Sequence, residues 1–121
     1  MKSVLIVEDE AIIALALKNF LVTQKYDVCG IISNGASAIE AVKELKPDLI
    51  IMDIELQGEL NGMEAYDRIR EFSPAKVIFV TGNSLELVVK RFKNKVPTLN
   101  KPILLADLKN SLDKILADSL N

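Results

Sequence analysis

The chain has 121 residues, the length of one ordinary domain. Its formal net charge of −2 argues against a dedicated nucleic-acid binder, and the absence of histidine excludes histidine catalysis and histidine metal ligation. Cys29, the only cysteine, rules out an intramolecular disulfide and a Cys-rich metal site. In the apolar-rich stretch Tyr26 to Ile32 it reads as a buried, inert thiol.

Taken in chain order, strand and helix patterns alternate. Lys2 is followed only by Val4 to Val7 before Glu8 and Asp9. That run is too short for a signal-peptide core or a membrane span, so a cytoplasmic location and no membrane contact are expected. It is β-branched and apolar, which suits a buried strand. Ala11 to Gln24, rich in Ala and Leu without Gly or Pro, predicts a helix. Val28 to Ile32 reads as a second strand. Asn34-Gly35 breaks the chain before a helix over Ser37 to Leu45, which Pro47 ends.

Leu49 to Met52 is the third strand, fully apolar, followed by a loop with Gly58, Asn61 and Gly62 and a helix over Met63 to Glu71. Val77 to Val80 is the fourth strand. Ser84 reads as the N-cap of a helix through Lys93, its hydroxyl accepting a first-turn N–H. Pro97 to Asn100 holds a short fifth strand. A last helix runs from Leu104 to Ala117, with Leu105, Leu108, Leu112 and Ile115 at helical spacing. Five βα units without a linker or repeat, with apolar strands between helices, predict an α/β fold with a parallel sheet covered on both faces.

Ligands of such sheets sit beyond the carboxyl ends of the strands. Glu8-Asp9 follow the first strand, Asp53 the third, Thr81-Gly82 the fourth and Lys101-Pro102 the fifth. Each has an ordinary reading. Glu8-Asp9 offset a helix dipole, Asp53 caps a loop, Thr81 bonds to backbone, and Lys101 is solvated. On the predicted fold these four stretches are expected to meet in one cleft. Two carboxylates about 4 Å apart repel by on the order of 4 kcal/mol at an effective dielectric near 20, so a raised pKa, Lys101 or a cation must offset them. All-oxygen donors select a hard cation, and Mg²⁺ favours one or two carboxylates plus phosphate oxygen. Thr81 and Lys101 offer donors for phosphoryl oxygens, and Asp53 is the candidate nucleophile for an acyl phosphate.

The segments Val4-Leu5-Ile6-Val7-Glu8-Asp9-Glu10, Pro47-Asp48-Leu49-Ile50-Ile51-Met52-Asp53-Ile54, Asn61-Gly62, Val77-Ile78-Phe79-Val80-Thr81-Gly82 and Lys101-Pro102 resemble receiver domains of two-component response regulators. The resemblance covers essentially the whole chain, residues 1–121 as a single domain, and implies a flavodoxin-like (βα)5 fold of strand order 2-1-3-4-5. It implies that Asp53 is the phosphoacceptor and that Asp9 binds Mg²⁺ (or Mn²⁺) directly. Asp53 and the Glu55 backbone carbonyl would be further metal ligands, with Glu8 helping through water. Thr81 and Lys101 would contact the phosphoryl group, and the Lys101–Pro102 bond would be cis. The implied donor is a histidine kinase or phosphotransfer protein, and the implied output is altered contact with a downstream protein, without direct nucleic-acid binding or substrate turnover.

Some features depart from the family. The loop from Asp53 to Gly62 carries Gln57-Gly58-Glu59, where many members place proline, and is one residue longer than the commonest form. Thr98 stands where many members carry an aromatic reporter, which supports an alternative reading as an unphosphorylated pseudo-receiver. Glu55 and Asn83 lie where the family tunes dephosphorylation. A metal-dependent phosphohydrolase would need a further acid–base group, for which Glu55 is the only near candidate. The acidic first loop argues against a flavin carrier.

Lys90, Arg91, Lys93 and Lys95 form a solvated face or a dock for an acidic partner, while Leu85, Val88, Val89 and Phe92 form a core stripe and Leu87 lies off it. Either surface could support a homodimer. No output segment is expected after the last helix.

Overall fold

The computed structural model describes residues 2–120, with side chains through residue 118; the expected domain ends at Met1 and Asn121 lie outside the described residues. Five strands alternate with five helices: β1 (Ser3–Val7), α1 (Ala11–Thr23), β2 (Asp27–Ile32), α2 (Gly35–Leu45), β3 (Leu49–Asp53), α3 (Gly62–Arg70), β4 (Lys76–Thr81), α4 (Leu85–Phe92), β5 (Thr98–Asn100) and α5 (Leu105–Leu120). The strands form one sheet of order β2-β1-β3-β4-β5, and every pairing is parallel. The order implied by the resemblance is therefore the order observed.

Alternation along the central strands divides the core in two. Leu5, Val7, Ile50, Met52, Val77 and Phe79 face one side, where Ala38, Ala41 and Val42 of α2 and Ala65 and Ile69 of α3 cover them. Val4, Ile6, Leu49, Ile51, Ile78 and Val80 face the other, under Ala14, Leu17 and Leu21 of α1 and Leu108 and Leu112 of α5. This explains why β3 is apolar from Leu49 to Met52: each of its faces meets a helix layer. Burying one such Ile or Leu contributes about 1.5–3 kcal/mol, so the two layers fix the sheet that carries the site.

Local chemistry sets the element ends. Asn34 caps α2 through a hydrogen bond from Ser37 N–H at 2.8 Å, so this helix begins two residues before the expected Ser37. Lys46 closes it in a left-handed conformation (φ 48°) just before Pro47. Asn61 and Glu64 form a reciprocal capping box at the start of α3. Gly62 is required there because a Cβ would lie 2.1 Å from the Asp53 carbonyl oxygen. Its N–H bonds Ile54 O at 2.9 Å, which locks α3 against the end of β3.

Two expectations, the Ser84 cap bond and the burial of Val89, fail at the level of side-chain partners or facing. Ser84 is the N-cap of α4 but its hydroxyl makes no cap bond; its backbone N–H instead donates to Thr81 Oγ1 at 2.7 Å. In the α4 stripe Val88 is buried, but Val89 is largely exposed, because this two-turn helix turns only a narrow face inward. In α5, Leu108 and Leu112 are buried while Leu105, at the helix start, is exposed. Leu87 is exposed, as its position off the stripe predicts. Among the described residues no helix is long and apolar enough to cross a membrane.

Candidate functional site

The carboxyl ends of β1, β3, β4 and β5 bring Glu8, Asp9, Asp53, Thr81 and Lys101 to one edge of the sheet. Glu8, Asp53 and Thr81 are buried there, with relative exposures of 3%, 2% and 0%. An open cleft of about 290 Å³ runs between Asp9, Glu10, Asp53 and Lys101 on one side and Glu55, Gln57, Gly82 and Asn83 on the other. A larger cleft, about 460 Å³, opens at the opposite end of the sheet beside Val42, Phe72 and Ala75. It holds none of the converging groups.

Lys101 is the cation of the acidic side. Its Nζ lies 2.8 Å from Glu10 Oε2, 3.3 Å from Asp53 Oδ2 and 3.1 Å from Glu8 Oε1. Its contact with Glu8 Oε2, at 3.4 Å, has hydrogen-bond geometry; the shorter one to Oε1 does not. Buried Oε1 is thus charge-paired but has no hydrogen-bond partner among the described residues. Desolvation, only partly offset by the Glu10 N–H and Lys101, together with the neighbouring Asp53, pushes the Glu8 pKa up to about 7. The Lys101 pKa also rises: desolvation would lower it, but its carboxylate neighbours outweigh burial and hold the ammonium well above its ordinary pKa. The Lys101–Pro102 peptide bond is cis.

The acidic residues make no side-chain cap bond to the first helix. α1 begins at Ala11 with no acidic residue in its first turn. Glu10 is its N-cap residue but makes no side-chain cap bond, and reaches Lys101 instead. Carboxylate oxygens of Glu8, Asp9 and Glu10 lie within 4.8 Å of one another. An all-oxygen cluster with a buried, unbonded carboxylate oxygen fits a hard divalent cation such as Mg²⁺. Glu10 was not among the expected site residues. Its place in the Glu8-Asp9-Glu10 run was the only signal for it.

On the other side of the cleft the donors are already engaged. Thr81 Oγ1 donates to Glu55 Oε2 at 2.6 Å, while the Gly82 and Asn83 N–H groups reach Glu55 Oε1 at 2.5 and 3.3 Å. Burial alone would raise the Glu55 pKa, but bonds from Thr81, Gly82, Ser84 and Asn83 outweigh it and hold the carboxyl below its ordinary value. The Glu55 N–H also donates to Asp53 Oδ1 at 3.0 Å, so Asp53 is fixed between that amide and Lys101. Sequence reasoning placed the Glu55 carbonyl among the metal ligands and the residue where the family tunes dephosphorylation; the structure adds the bonds of its carboxylate to Thr81, Gly82 and Asn83.

Away from the cleft, Cys29 is only half-buried, not fully buried as expected, because β2 is an edge strand of the sheet; burial still raises its thiol pKa. Thr98, in the position of the family's aromatic reporter, donates its hydroxyl to Val96 O at 3.1 Å. In the basic patch, Arg91 pairs with Asp67 and stacks over Phe92 at 4.7 Å.

A (βα)5 sheet with an acidic cleft, a buried aspartate, a threonine and a lysine at its strand ends defines the receiver class of signalling domains. The chain belongs to the response regulator receiver domain family, whose pattern it matches over residues 4–113. It is 39% identical over 89 residues to the chemotaxis protein CheY of Thermotoga maritima, a match spanning 73% of each chain. It is 36% identical over 104 residues to a protein-glutamate methylesterase/protein-glutamine glutaminase of the same organism, spanning 82% of this chain but 30% of that protein. The crystal structure of the response regulator domain of Thermotoga maritima CheB superposes with a TM-score of 0.81 at 33% identity, covering 97% of this chain and 95% of that one. Receiver domains of this family act in two-component signalling between kinases and effectors.

Proposed function

We propose that this domain is a phosphoacceptor switch in which Asp53 receives a phosphoryl group. The observation that carries the reading is the environment of Asp53. It is a buried carboxylate at the mouth of an acidic cleft, within 3.3 Å of Lys101, on the strand next to the one that ends in Thr81. Although buried and held by the Glu55 N–H and Lys101, it still lines the open cleft.

Asp9, Asp53, the Glu55 carbonyl and, through water, Glu8 would hold Mg²⁺ (or Mn²⁺). When bound, the ion supplies charge neutralisation between carboxylates and phosphoryl oxygens. The protein's own groups do the rest. A carboxylate oxygen of Asp53 forms the new P–O bond as the P–N bond of a phosphohistidine breaks, and the electron pair leaves on the imidazole nitrogen. Lys101 balances the charge on the transferred group, and the Thr81 hydroxyl donates to one of its oxygens. The donor is a histidine kinase or phosphotransfer protein. The exposed apolar residues Ile12, Leu15 and Val22 of α1 support contact with such a partner. The output is a change in contact with a downstream protein, so the domain works as a switch and not as a turnover enzyme.

The test is intact mass after incubation with acetyl phosphate, with and without Mg²⁺. The wild type should gain one phosphoryl group only with Mg²⁺, and Asp53→Asn should gain none. A wild type that binds Mg²⁺ yet gains no mass from acetyl phosphate or a kinase would instead make the domain an unphosphorylated interaction module.

A further inference from the structure

We propose that the Glu55 carboxylate is the resting occupant of the cleft's anion-binding donors, and that a phosphoryl group must displace it to reach Asp53. The inference rests on the reading of Asp53 as phosphoacceptor and deepens it. An arriving phosphoryl group needs hydrogen-bond donors for its equatorial oxygens. On the β4 side of the cleft those donors are the Thr81 hydroxyl and the N–H groups of Gly82 and Asn83. All three already point at one anion, with Glu55 Oε2 on Thr81 at 2.6 Å and Oε1 on Gly82 at 2.5 Å and Asn83 at 3.3 Å. The space left by the missing Gly82 side chain faces Glu55 Oε1 at 3.5 Å. A negatively charged group with two oxygens on these donors has the charge and hydrogen-bonding pattern of part of a phosphoryl group.

The arrangement is built to open. The Glu55 backbone is tethered, its N–H bound to Asp53 Oδ1 at 3.0 Å, so rotation about the side-chain bonds suffices to release the donors. The residue is only partly buried and borders the open cleft, which gives the carboxylate a route to water. The same contact reaches α4. Thr81 Oγ1 donates to Glu55 and also accepts the Ser84 N–H at 2.7 Å. Glu55 therefore holds the Thr81 hydroxyl, and with it the first residue before α4, in one orientation until an incoming anion takes its place.

Two variants separate occupancy from charge. Glu55→Ala removes both. Glu55→Asp keeps the charge but withdraws the carboxylate by one methylene from the Thr81 and Gly82 donors. At saturating Mg²⁺ and with acetyl phosphate, both variants should acquire the phosphoryl mass faster than wild type, on the order of tenfold, the scale of one charge-assisted hydrogen bond. In the metal-free proteins the Gly82 amide proton should move upfield in both, as it loses a short bond to a carboxylate. Rates and amide shifts unchanged from wild type would overturn the inference while leaving phosphorylation of Asp53 intact. A faster Glu55→Ala beside a Glu55→Asp at the wild-type rate would also overturn it, by assigning the effect to charge alone. Failure of all three proteins to be phosphorylated would overturn both the inference and the reading beneath it.

Discussion

Asp48 precedes β3 and Asp53 ends it, and their surroundings differ in kind. Asp48, at its amino end, is exposed. Its Oδ2 accepts the Ser3 N–H at 2.9 Å and the Ser3 hydroxyl at 3.2 Å, and these bonds hold its carboxyl below the ordinary range. Asp53, at the carboxyl end, is buried beside Glu8 and shares one lysine with Glu8 and Glu10. The first carboxylate ties β1 to β3. The second stands in a group of anions with too little positive charge around it. The volumes of the adjoining clefts run the other way, about 460 Å³ beside Asp48 and about 290 Å³ beside Asp53. Cleft size therefore does not locate the chemistry here; the uncompensated charge does.

The sharpest way to break this contrast is to remove Lys101, the one cation paired at the Asp53 end among the described residues. Lys101→Ala should slow phosphorylation from acetyl phosphate by about a hundredfold or more, the scale on which a preorganised charge acts on a transferring group. Metal-free Lys101→Ala should also be less stable than wild type, and Mg²⁺ should recover much of the loss. A near-normal rate would mean that Lys101 serves only to balance Glu8 and Glu10.

Next in size is the pH response, which should have opposite signs at the two ends. The Glu8 pKa rises from 4.5 unfolded to about 7 in the fold, so the folded state holds this proton more tightly. Raising the pH from 4.5 through 7 should therefore lower the stability contributed by Glu8 in the metal-free protein. Asp48, with its lowered pKa, contributes stability above its unfolded pKa and loses it as acid protonates it. Mg²⁺ needs deprotonated ligands, so its gain in Tm should be larger at about pH 8 than at about pH 6. Equal gains at both values would remove Glu8 from the metal's surroundings.

The smallest effect is expected at the amino end. Asp48→Ala should cost only about 0.5–1 kcal/mol in denaturant unfolding, because water screens exposed hydrogen bonds of this sort. Its phosphorylation rate should match wild type. A large loss of activity would show that the two ends are coupled through β3.

The fold was legible in the sequence because each strand is a short apolar run and each helix carries clear punctuation. Asn34, Pro47 and the Asn61-Gly62 pair set element ends by local chemistry. That Glu8, Asp9, Asp53, Thr81 and Lys101 meet at one end of the sheet was legible for the same reason, since each directly follows or ends a recognisable strand. The partners of long side chains were not. Glu10 reaches Lys101, ninety-one positions away, and Glu55 crosses to Thr81, Gly82 and Asn83, choices made by tertiary packing. Nor could periodicity orient α1. Its sequence is apolar nearly all round, and only the fold shows that Leu17 and Leu21 face the sheet while Ile12, Leu15 and Val22 face outward.

The central claim is that Asp53, alone among the clustered carboxylates, takes the phosphoryl group. The direct test is to phosphorylate the protein with acetyl phosphate and Mg²⁺, reduce the acyl phosphate with borohydride, and map the converted residue by peptide mass. The account predicts homoserine at position 53. Conversion at Glu8, Asp9 or Glu10 instead, or at no residue in a protein shown to bind Mg²⁺, would contradict it.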